Sequence, residues 1–402
     1  MKNIANLKRI KIKPNFYHKL KGGYLWGFSE DIKSIDPAIS DGEIVDLYLD
    51  DQFISKAYFN SKSKIKVRIL SFEDIPIDYN FFKNKLIELY NQKKVFFKNN
   101  NFRLVYSEGD FLPGLIIDLF EEFETNKKIA VCMFLTKGID NFKYEIVKAL
   151  TKDLGVDVVI ERGDSNLRKL EGLDLTRGFI YSEINLPFKV MIDDIVFLVD
   201  PLNGQKTGFY YDQYLNRRFL EYIAKDKVVL DCFSYTGAFG MYALRYGAKY
   251  VEFIDESEFA NRIIIQQAKL NNLAGKFVFY KDNVFSKLRE FVSLNRVFDI
   301  VIVDPPSFTK TKDKIENAIR AYKDVNLQAL KLVKNGGFLL TSSCSQKIRE
   351  KDFEDIFPYL FQKLNIKGKI VYKGNQSYDH PVNSAMEETK YLKFLAFQIF
   401  KI

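Results

Sequence analysis

Cys344 sits in the run Ser342-Ser343-Cys344-Ser345, directly after the apolar stretch Gly336 to Thr341. Asp304 opens the run Asp304-Pro305-Pro306-Ser307-Phe308, directly after Ile300-Val301-Ile302-Val303. Both apolar stretches read as buried parallel strands, which places a thiol and a carboxylate at strand carboxyl ends, where open α/β sheets bind ligands. A thiolate there could attack the 6-carbon of a pyrimidine and make its 5-carbon nucleophilic enough to take a methyl group. Read in isolation, a free cysteine is as often a small buried hydrophobe. The two prolines stiffen the turn and leave carbonyls with no competing amide. Those carbonyls and the Asp304 carboxylate suit the exocyclic amine or ring nitrogen of a base, with Pro306 beside it and Phe308 to stack on it; the bland alternative is an ordinary turn after a strand.

Upstream, Val228-Val229-Leu230-Asp231 runs into the small-residue turn Cys232-Phe233-Ser234-Tyr235-Thr236-Gly237. A turn of this kind opening a helix lets backbone amides approach a ligand carboxylate or ribose. Only Gly237 and Gly240 are glycines, so the dinucleotide pattern is missing, which disfavours a pyrophosphate ligand and a nicotinamide oxidoreductase. Asp255, followed by Glu256, closes the next strand, where an acidic residue grips ribose hydroxyls. Asp282-Asn283, after a strand ending at Tyr280, could meet an adenine edge. Any one of these carboxylates could be an ordinary helix cap, but three in successive βα turns point to a nucleoside cofactor. Lys206, Gln213 and Arg217 lie in a polar stretch from Asp200 to Arg218 that is either a solvated loop or a contact with cofactor or RNA. His380, in Asp379-His380-Pro381, is either a substrate-loop residue or part of a capped turn.

The elements that must position these groups follow from the pattern along the chain. With 402 residues, two or three domains are expected. Residues 1–74 read as short strands and turns with scattered Lys and Arg, a small basic β-barrel. Residues 75–190 read as a middle α+β domain with a helix near 79–97, strands at 129–134 and 156–162, and a helix near 138–153. A strand pair near 187–199 would turn at Asp193-Asp194. From 191 to 402 the chain reads as one domain whose strand–helix alternation begins near 200. Its strands at 228–231, 250–254, 276–280, 299–303 and 337–342 make an α/β, doubly wound sheet. Segments 369–372 and 391–400, with no helix between them, are expected to pair antiparallel at its edge.

A formal net charge of +9, from 61 basic and 52 acidic residues, suits a polyanionic partner without requiring one. Three widely spaced cysteines make neither a disulfide framework nor a zinc cluster, so no metal is expected and a reducing compartment is. Met1 to Asn6 lacks the apolar core of a leader, and no apolar run approaches the roughly 18 residues of a membrane span. The expectation is a cytoplasmic protein.

The motifs, taken in order, resemble the RlmI-like family of large-subunit ribosomal RNA cytosine-5 methyltransferases. The resemblance is carried by Gly109-Asp110, Pro113-Gly114-Leu115 and Asp118, by Glu161-Arg162 and Glu171-Gly172-Leu173, and by Gly204 to Gly208 with Asp212-Gln213 and Arg217. It continues through Phe233-Ser234-Tyr235-Thr236-Gly237, Asp304 to Phe308, Ser343-Cys344-Ser345, Asp379-His380-Pro381 and Tyr391-Leu392-Lys393. It implies an amino-terminal PUA barrel, a middle α+β domain and a Rossmann-like class I methyltransferase domain with a mixed seven-stranded sheet. It also implies S-adenosyl-L-methionine as cofactor and large-subunit ribosomal RNA as partner, with no membrane, and it leaves a homodimer open. Cys344 matches the covalent nucleophile and Asp304 the target-base carboxylate. Asp231, Thr236, Gly237, Asp255 and Asp282 match cofactor contacts, to which Phe233, Tyr235, Glu256, Asn283, Asp304 and Pro305 are added by their place in the same turns. Two departures stand out: Ser307 holds the place of a second cysteine in other RNA cytosine-5 methyltransferases, and Tyr24-Leu25 replaces the usual His-Pro before Trp26. The rival expectations are a base-nitrogen methyltransferase acting on guanine or adenine, and a non-catalytic RNA-binding assembly factor.

Overall fold

The computed structural model of the chain describes residues 8–309 and 314–402, so the reading of Met1 to Asn6 lies outside the described residues. The chain divides into two compact units. The first takes the residues up to 191 and regains 199–211 and 378–389; the second takes 192–198, 212–377 and 390–402. The carboxyl-terminal stretch expected from 191 is thus interrupted twice.

In the first unit, β1 (Arg9–Ile12) alternates as its sequence suggests, burying Ile10 and Ile12. Pro14 ends that strand and also opens a helix that the pattern alone did not announce, α1 (Pro14–Lys21), because its fixed φ suits the first helical position. Then come β2 (Trp26–Phe28), β3 (Ile32–Ile35), β4 (Ile44–Leu49), β5 (Gln52–Phe59) and β6 (Ile65–Ser71). They form a six-stranded sheet in the order β2-β6-β5-β4-β1-β3, with β1 and β4 parallel and the other pairs antiparallel. The core it closes over includes Phe16, Leu20, Leu47 and Val67.

α2 (Tyr79–Lys94) starts where expected because the Asp78 carboxylate accepts hydrogen bonds from the amides of Asn80 (2.9 Å) and Phe81 (3.1 Å). Five strands follow, β7 (Phe102–Tyr106), β8 (Leu115–Glu121), β9 (Lys128–Phe134), β10 (Val158–Gly163) and β11 (Thr176–Tyr181), ordered β11-β10-β9-β8-β7. Short α3 (Lys137–Asn141) and α4 (Lys143–Asp153) carry the crossover between parallel β9 and β10, and α5 (Asn166–Leu170) precedes β11. Both regained segments are tied here by buried charge. Arg103 pairs with Asp118 at 2.6 and 2.8 Å, and the Thr207 hydroxyl donates to the same carboxylate. The Asp379 carboxylate accepts from the Arg103 amide at 2.8 Å, while the Lys93 ammonium binds both Asp110 oxygens and the Asp379 carbonyl, each at 3.0 Å.

Between β12 (Phe188–Ile192) and β13 (Ile195–Val199), Asp193 and Asp194 take left-handed φ values of 50° and 59°, as a two-residue hairpin turn requires.

In the second unit, α6 (Tyr214–Arg218) leads into a seven-stranded sheet. Its elements are β14 (Val228–Cys232), α7 (Ala238–Arg245), β15 (Tyr250–Asp255), α8 (Glu258–Leu270), β16 (Phe277–Lys281), α9 (Val284–Ser293), β17 (Phe298–Val303), α10 (Ile315–Leu332), β18 (Val333–Ser343), α11 (Glu350–Glu354), α12 (Ile356–Leu364), β19 (Ile366–Gly374) and β20 (Lys393–Lys401). The order is β16-β15-β14-β17-β18-β20-β19: five parallel strands, then β20 inserted antiparallel between β18 and β19. The expected doubly wound sheet and the antiparallel closing pair are both present. The central strands β14 and β17 carry the apolar runs Val228-Val229-Leu230 and Ile300-Val301-Ile302-Val303, as parallel strands buried on both faces do. Among the described residues, no helix is long and apolar enough to cross a membrane.

One close approach sets the geometry of this sheet. A Cβ on Gly240 of α7 would lie 2.1 Å from Cε1 of Phe253 on β15, a fully buried ring. Gly240→Ala is therefore expected to push helix and strand apart at a cost of about 3 kcal/mol. On a unit of this size that is a fall of roughly 6–12 °C in the melting temperature, which calorimetry can read directly.

Candidate active site

The carboxyl ends of the five parallel strands carry most of the residues singled out from the sequence, and all of these lie in the second unit. After β14, Phe233, Tyr235 and Gly237 take left-handed φ values of 59°, 47° and 77°. For the two non-glycine residues such a backbone costs on the order of 1–3 kcal/mol each, and it persists only where the surroundings over-determine it. Here they do. The Ser234 amide donates to the Ile254 carbonyl (3.2 Å), the Gly237 amide to the Ser234 carbonyl (2.7 Å), and the Tyr235 amide to the Asp255 carboxylate (2.8 Å). Gln267, fully buried on α8, donates to the Thr236 carbonyl at 2.7 Å and accepts from the Leu198 amide at 2.9 Å. Sequence reasoning passed over Gln267, which looks like any polar residue on an amphipathic helix.

Asp231 is buried, and its carboxylate accepts from the Gly240 amide at 2.9 Å, joining β14 to α7. Burial pushes its acid up to about 8, opposed by that amide and reinforced by the charges of Asp304 and Asp255. Asp255 is half-buried; its other oxygen accepts from the Ser257 amide at 2.9 Å, and each oxygen keeps a lone pair for a ribose hydroxyl. Asn283 caps α9, accepting from the Ser286 amide (3.2 Å) and donating one of its two amide hydrogens to Glu256 (2.7 Å), which braces the two turns. Asp282 pairs with Lys287 at 3.3 Å. Among the described residues the Ser234 hydroxyl, buried in the strained turn, has no hydrogen-bond partner. An orphaned hydroxyl, a left-handed turn and a half-open carboxylate one strand over fit a nucleoside cofactor.

Asp304, at the end of β17, accepts at one oxygen from the Gln213 amide (2.9 Å) and from the Ser342 hydroxyl. Burial pushes its acid up to about 6; Asp212 adds to the rise, while Ser342, Gln213 and Arg217 oppose it. Gln213 is itself held by Asn216 at 2.6 Å, and Arg217 is buried with its guanidinium 5.5 Å from the Tyr242 ring centre. Pro306 is exposed. Phe308 is half-buried in an aromatic cluster with Phe285 (5.9 Å) and Tyr322 (4.7 Å), so much of its face is spent on packing.

Cys344 follows β18, the strand beside β17, and its Sγ lies 3.8 Å from the Pro305 carbonyl oxygen. It is half-buried, whereas Cys132 and Cys232 are fully buried and burial pushes both thiols far up. Tyr322, from α10, braces the turn: its hydroxyl lies 3.0 Å from that of Ser343 and 2.9 Å from that of Ser345. Ser307 bridges to Ser345 at 3.0 Å, so the residue at the second-cysteine place ties the two turns together. Tyr322 was not legible as a site residue, since a buried tyrosine on an amphipathic helix reads as core.

Two of the residues singled out fall in the first unit. Lys206 is exposed, its ammonium 4.4 Å from the Tyr210 ring centre. His380 is buried, with Nδ1 2.8 Å from the Asp379 carboxylate and its ring against Tyr106 at 5.0 Å.

The sheet order and the loop set define a Rossmann-like methyltransferase fold. Two solved structures share it over 98% of this chain and all of theirs: a candidate methyltransferase complexed with SAH (TM-score 0.82, 21% identity) and a candidate SAM-dependent methyltransferase from Streptococcus mutans (0.80, 22%). The PUA-like domain family matches residues 10–72, and the family described as conserved hypothetical protein 95 matches residues 216–360. Ribosomal RNA large subunit methyltransferase I of Vibrio parahaemolyticus is 36% identical over 94% of this chain and 96% of its own length. The proteins of that name from Pseudoalteromonas translucida (34%, 95% and 96%) and Shewanella amazonensis (32%, 98% and 99%) match as fully. The chain belongs to the ribosomal RNA large subunit methyltransferase I family.

Proposed function

We propose that this protein methylates the 5-carbon of a specific cytosine in large-subunit ribosomal RNA through a covalent adduct on Cys344. The relatives at 32–36% identity are named for ribosomal RNA of the large subunit, which supports the substrate. The observation that carries the cytosine-5 reading is a half-buried thiol at one strand end beside the Asp304 turn at the next. S-adenosylmethionine, when bound, supplies the methyl group. Asp255 would hold its ribose, Asp282 and Glu256 would lie toward its adenine, and the Phe233–Gly237 turn would receive its amino-acid end.

The target base must leave its stack, because a stacked base cannot offer both ring faces. Asp304 accepts a hydrogen bond from the base and orients it. The Cys344 thiolate forms a bond to C6, C5 gains the methyl group, water takes the 5-proton, and the electron pair left by it re-forms the C5–C6 double bond as the bond to sulfur breaks and the thiolate is restored. Residues 1–74 and 75–190 would serve as RNA-reading modules working by shape and phosphate contact, with Lys206 among the cations available.

The test is bisulfite sequencing of ribosomal RNA from cells with and without the gene. Loss of one protected cytosine, restored by the wild-type gene, supports the proposal. An unchanged cytosine map together with a lost methylpurine by mass spectrometry would turn the reading to a base-nitrogen methyltransferase, for which an Asp-Pro-Pro turn followed by an aromatic is also suited.

A further inference from the structure

β20 enters the sheet with a lysine. Lys393 lies directly across from Ser343 in the antiparallel pairing of β20 with β18, one residue from Cys344. Its side chain is buried, with 6% of the residue exposed. The ammonium donates to the Ser345 carbonyl at 2.7 Å and to the Tyr391 carbonyl at 2.8 Å, and no carboxylate among the described residues forms an ion pair with it. A buried cation is expensive unless something nearby gains from its charge, and packing alone would be served as well by methionine. Two of the three ammonium hydrogens are spent on carbonyls, one of them on the residue after Cys344, so the charge is anchored to the turn that carries the thiol.

The other groups around it leave this charge in command. Tyr322, from α10, keeps its proton, burial pushing its hydroxyl up to about 12. Glu350 of α11 is paired with Lys390 at 2.7 Å, so those charges largely cancel. Asp304, when ionised, disfavours a second anion at Cys344. Burial lowers Lys393 to about 8, while Cys344 and Glu350 draw it back up and Lys390 pushes it down.

We propose that Lys393 is a positioning residue that holds Cys344 in its thiolate form, its anchored ammonium standing beside the sulfur while the thiol proton leaves to solvent. This rests on the reading of Cys344 as the nucleophile, but it can be tested without RNA. The measurement is the rate of iodoacetamide alkylation at Cys344 against pH, followed by peptide mass spectrometry in wild type, Lys393→Met and Lys393→Arg, with cofactor binding measured alongside.

At pH 7 the methionine variant is expected to react about ten-fold more slowly, and the arginine variant close to wild type. Near pH 9.5 all three rates should converge, which a merely structural disturbance of the turn would not produce. Superimposable pH profiles for wild type and Lys393→Met would overturn the proposal. Should the methionine variant fail to fold, the wild-type profile decides, since a Cys344 thiol titrating at or above its ordinary value of about 8.5 also overturns it. Methyl transfer that survives Cys344→Ala would sink the nucleophile reading instead, whatever the alkylation rates.

Discussion

Cys344→Ala is expected to reduce methyl transfer by about 10,000-fold or more while leaving cofactor affinity within about two-fold. Removing a covalent nucleophile ordinarily costs this much, because the remaining groups can still bind and orient but cannot open the lower-barrier path. On the proposed reading that path is specific: without a sulfur bond at C6, the 5-carbon of cytosine is too weak a nucleophile to take a methyl group. Little else should change, since the side chain is half-buried and, Asp304 and Pro305 apart, the residues read as cofactor contacts lie on β14, β15, β16 and their turns. A tritium-transfer assay with calorimetric titration of S-adenosylmethionine separates the two effects. RNA carrying 5-fluorocytosine adds a direct check, because fluorine in place of the 5-proton blocks elimination and strands the adduct. Wild type should give a protein–RNA band that survives denaturation, and Cys344→Ala should give none. An alanine variant that keeps its activity would mean the acceptor is a base nitrogen.

The sheet was legible because its signals are local. A parallel strand buried on both faces is a short apolar run, and Val228–Cys232, Tyr250–Asp255 and Phe298–Val303 each declare themselves within a few residues. The antiparallel closing pair was legible from the missing helix between β19 and β20. What escaped depends on partners far along the chain. Pro14 read as a strand end, and its second role as a helix opener shows only where Phe16 and Leu20 find a core. The returns of 199–211 and 378–389 to the first unit rest on Thr207 meeting Asp118 and Asp379 meeting Arg103. Polar loops carry no periodicity that could announce such pairings.

The site divides along the same line. Strand-end residues were legible as positions, since a turn after an apolar run fixes where a side chain emerges. Their supporting partners were not. Nothing in the spacing says that Gln213 and Ser342 share one oxygen of Asp304, that Tyr322 spans Ser343 and Ser345, or that carbonyls anchor Lys393 at the turn after Cys344. Asn283, placed in its turn by the same signal, also serves there as a helix cap. His380 was singled out for its rarity, one of two histidines, yet rarity says nothing about burial, and burial settles its surroundings.

Asp304→Asn should cut methyl transfer by about 100- to 1,000-fold, the scale for losing one charged hydrogen-bonding group aimed at the reacting centre, and at the same time make the folded protein more stable at pH 7.5. The two effects share one cause. The folded-state acid sits near 6 against an ordinary 3.8, mainly because burial disfavours the charged form. A folded acid raised in this way contributes stability that is full below 3.8 and lost as pH rises through about 6, since over that window the unfolded chain gives up its proton first. At pH 7.5 the ionised carboxylate therefore costs the fold about 1–2 kcal/mol, after discounting for its partial exposure. Asparagine keeps an oxygen for Gln213 and Ser342 and removes the charge. Urea unfolding at pH 7.5 and pH 4 should then show the variant ahead at the higher pH and level with wild type at the lower. The wild-type rate should also fall below about pH 6 as the carboxylate is protonated, a limb that the residual activity of Asp304→Asn should lack. A variant less stable than wild type at pH 7.5 would mean that the ionised carboxylate is held for the fold rather than for the base.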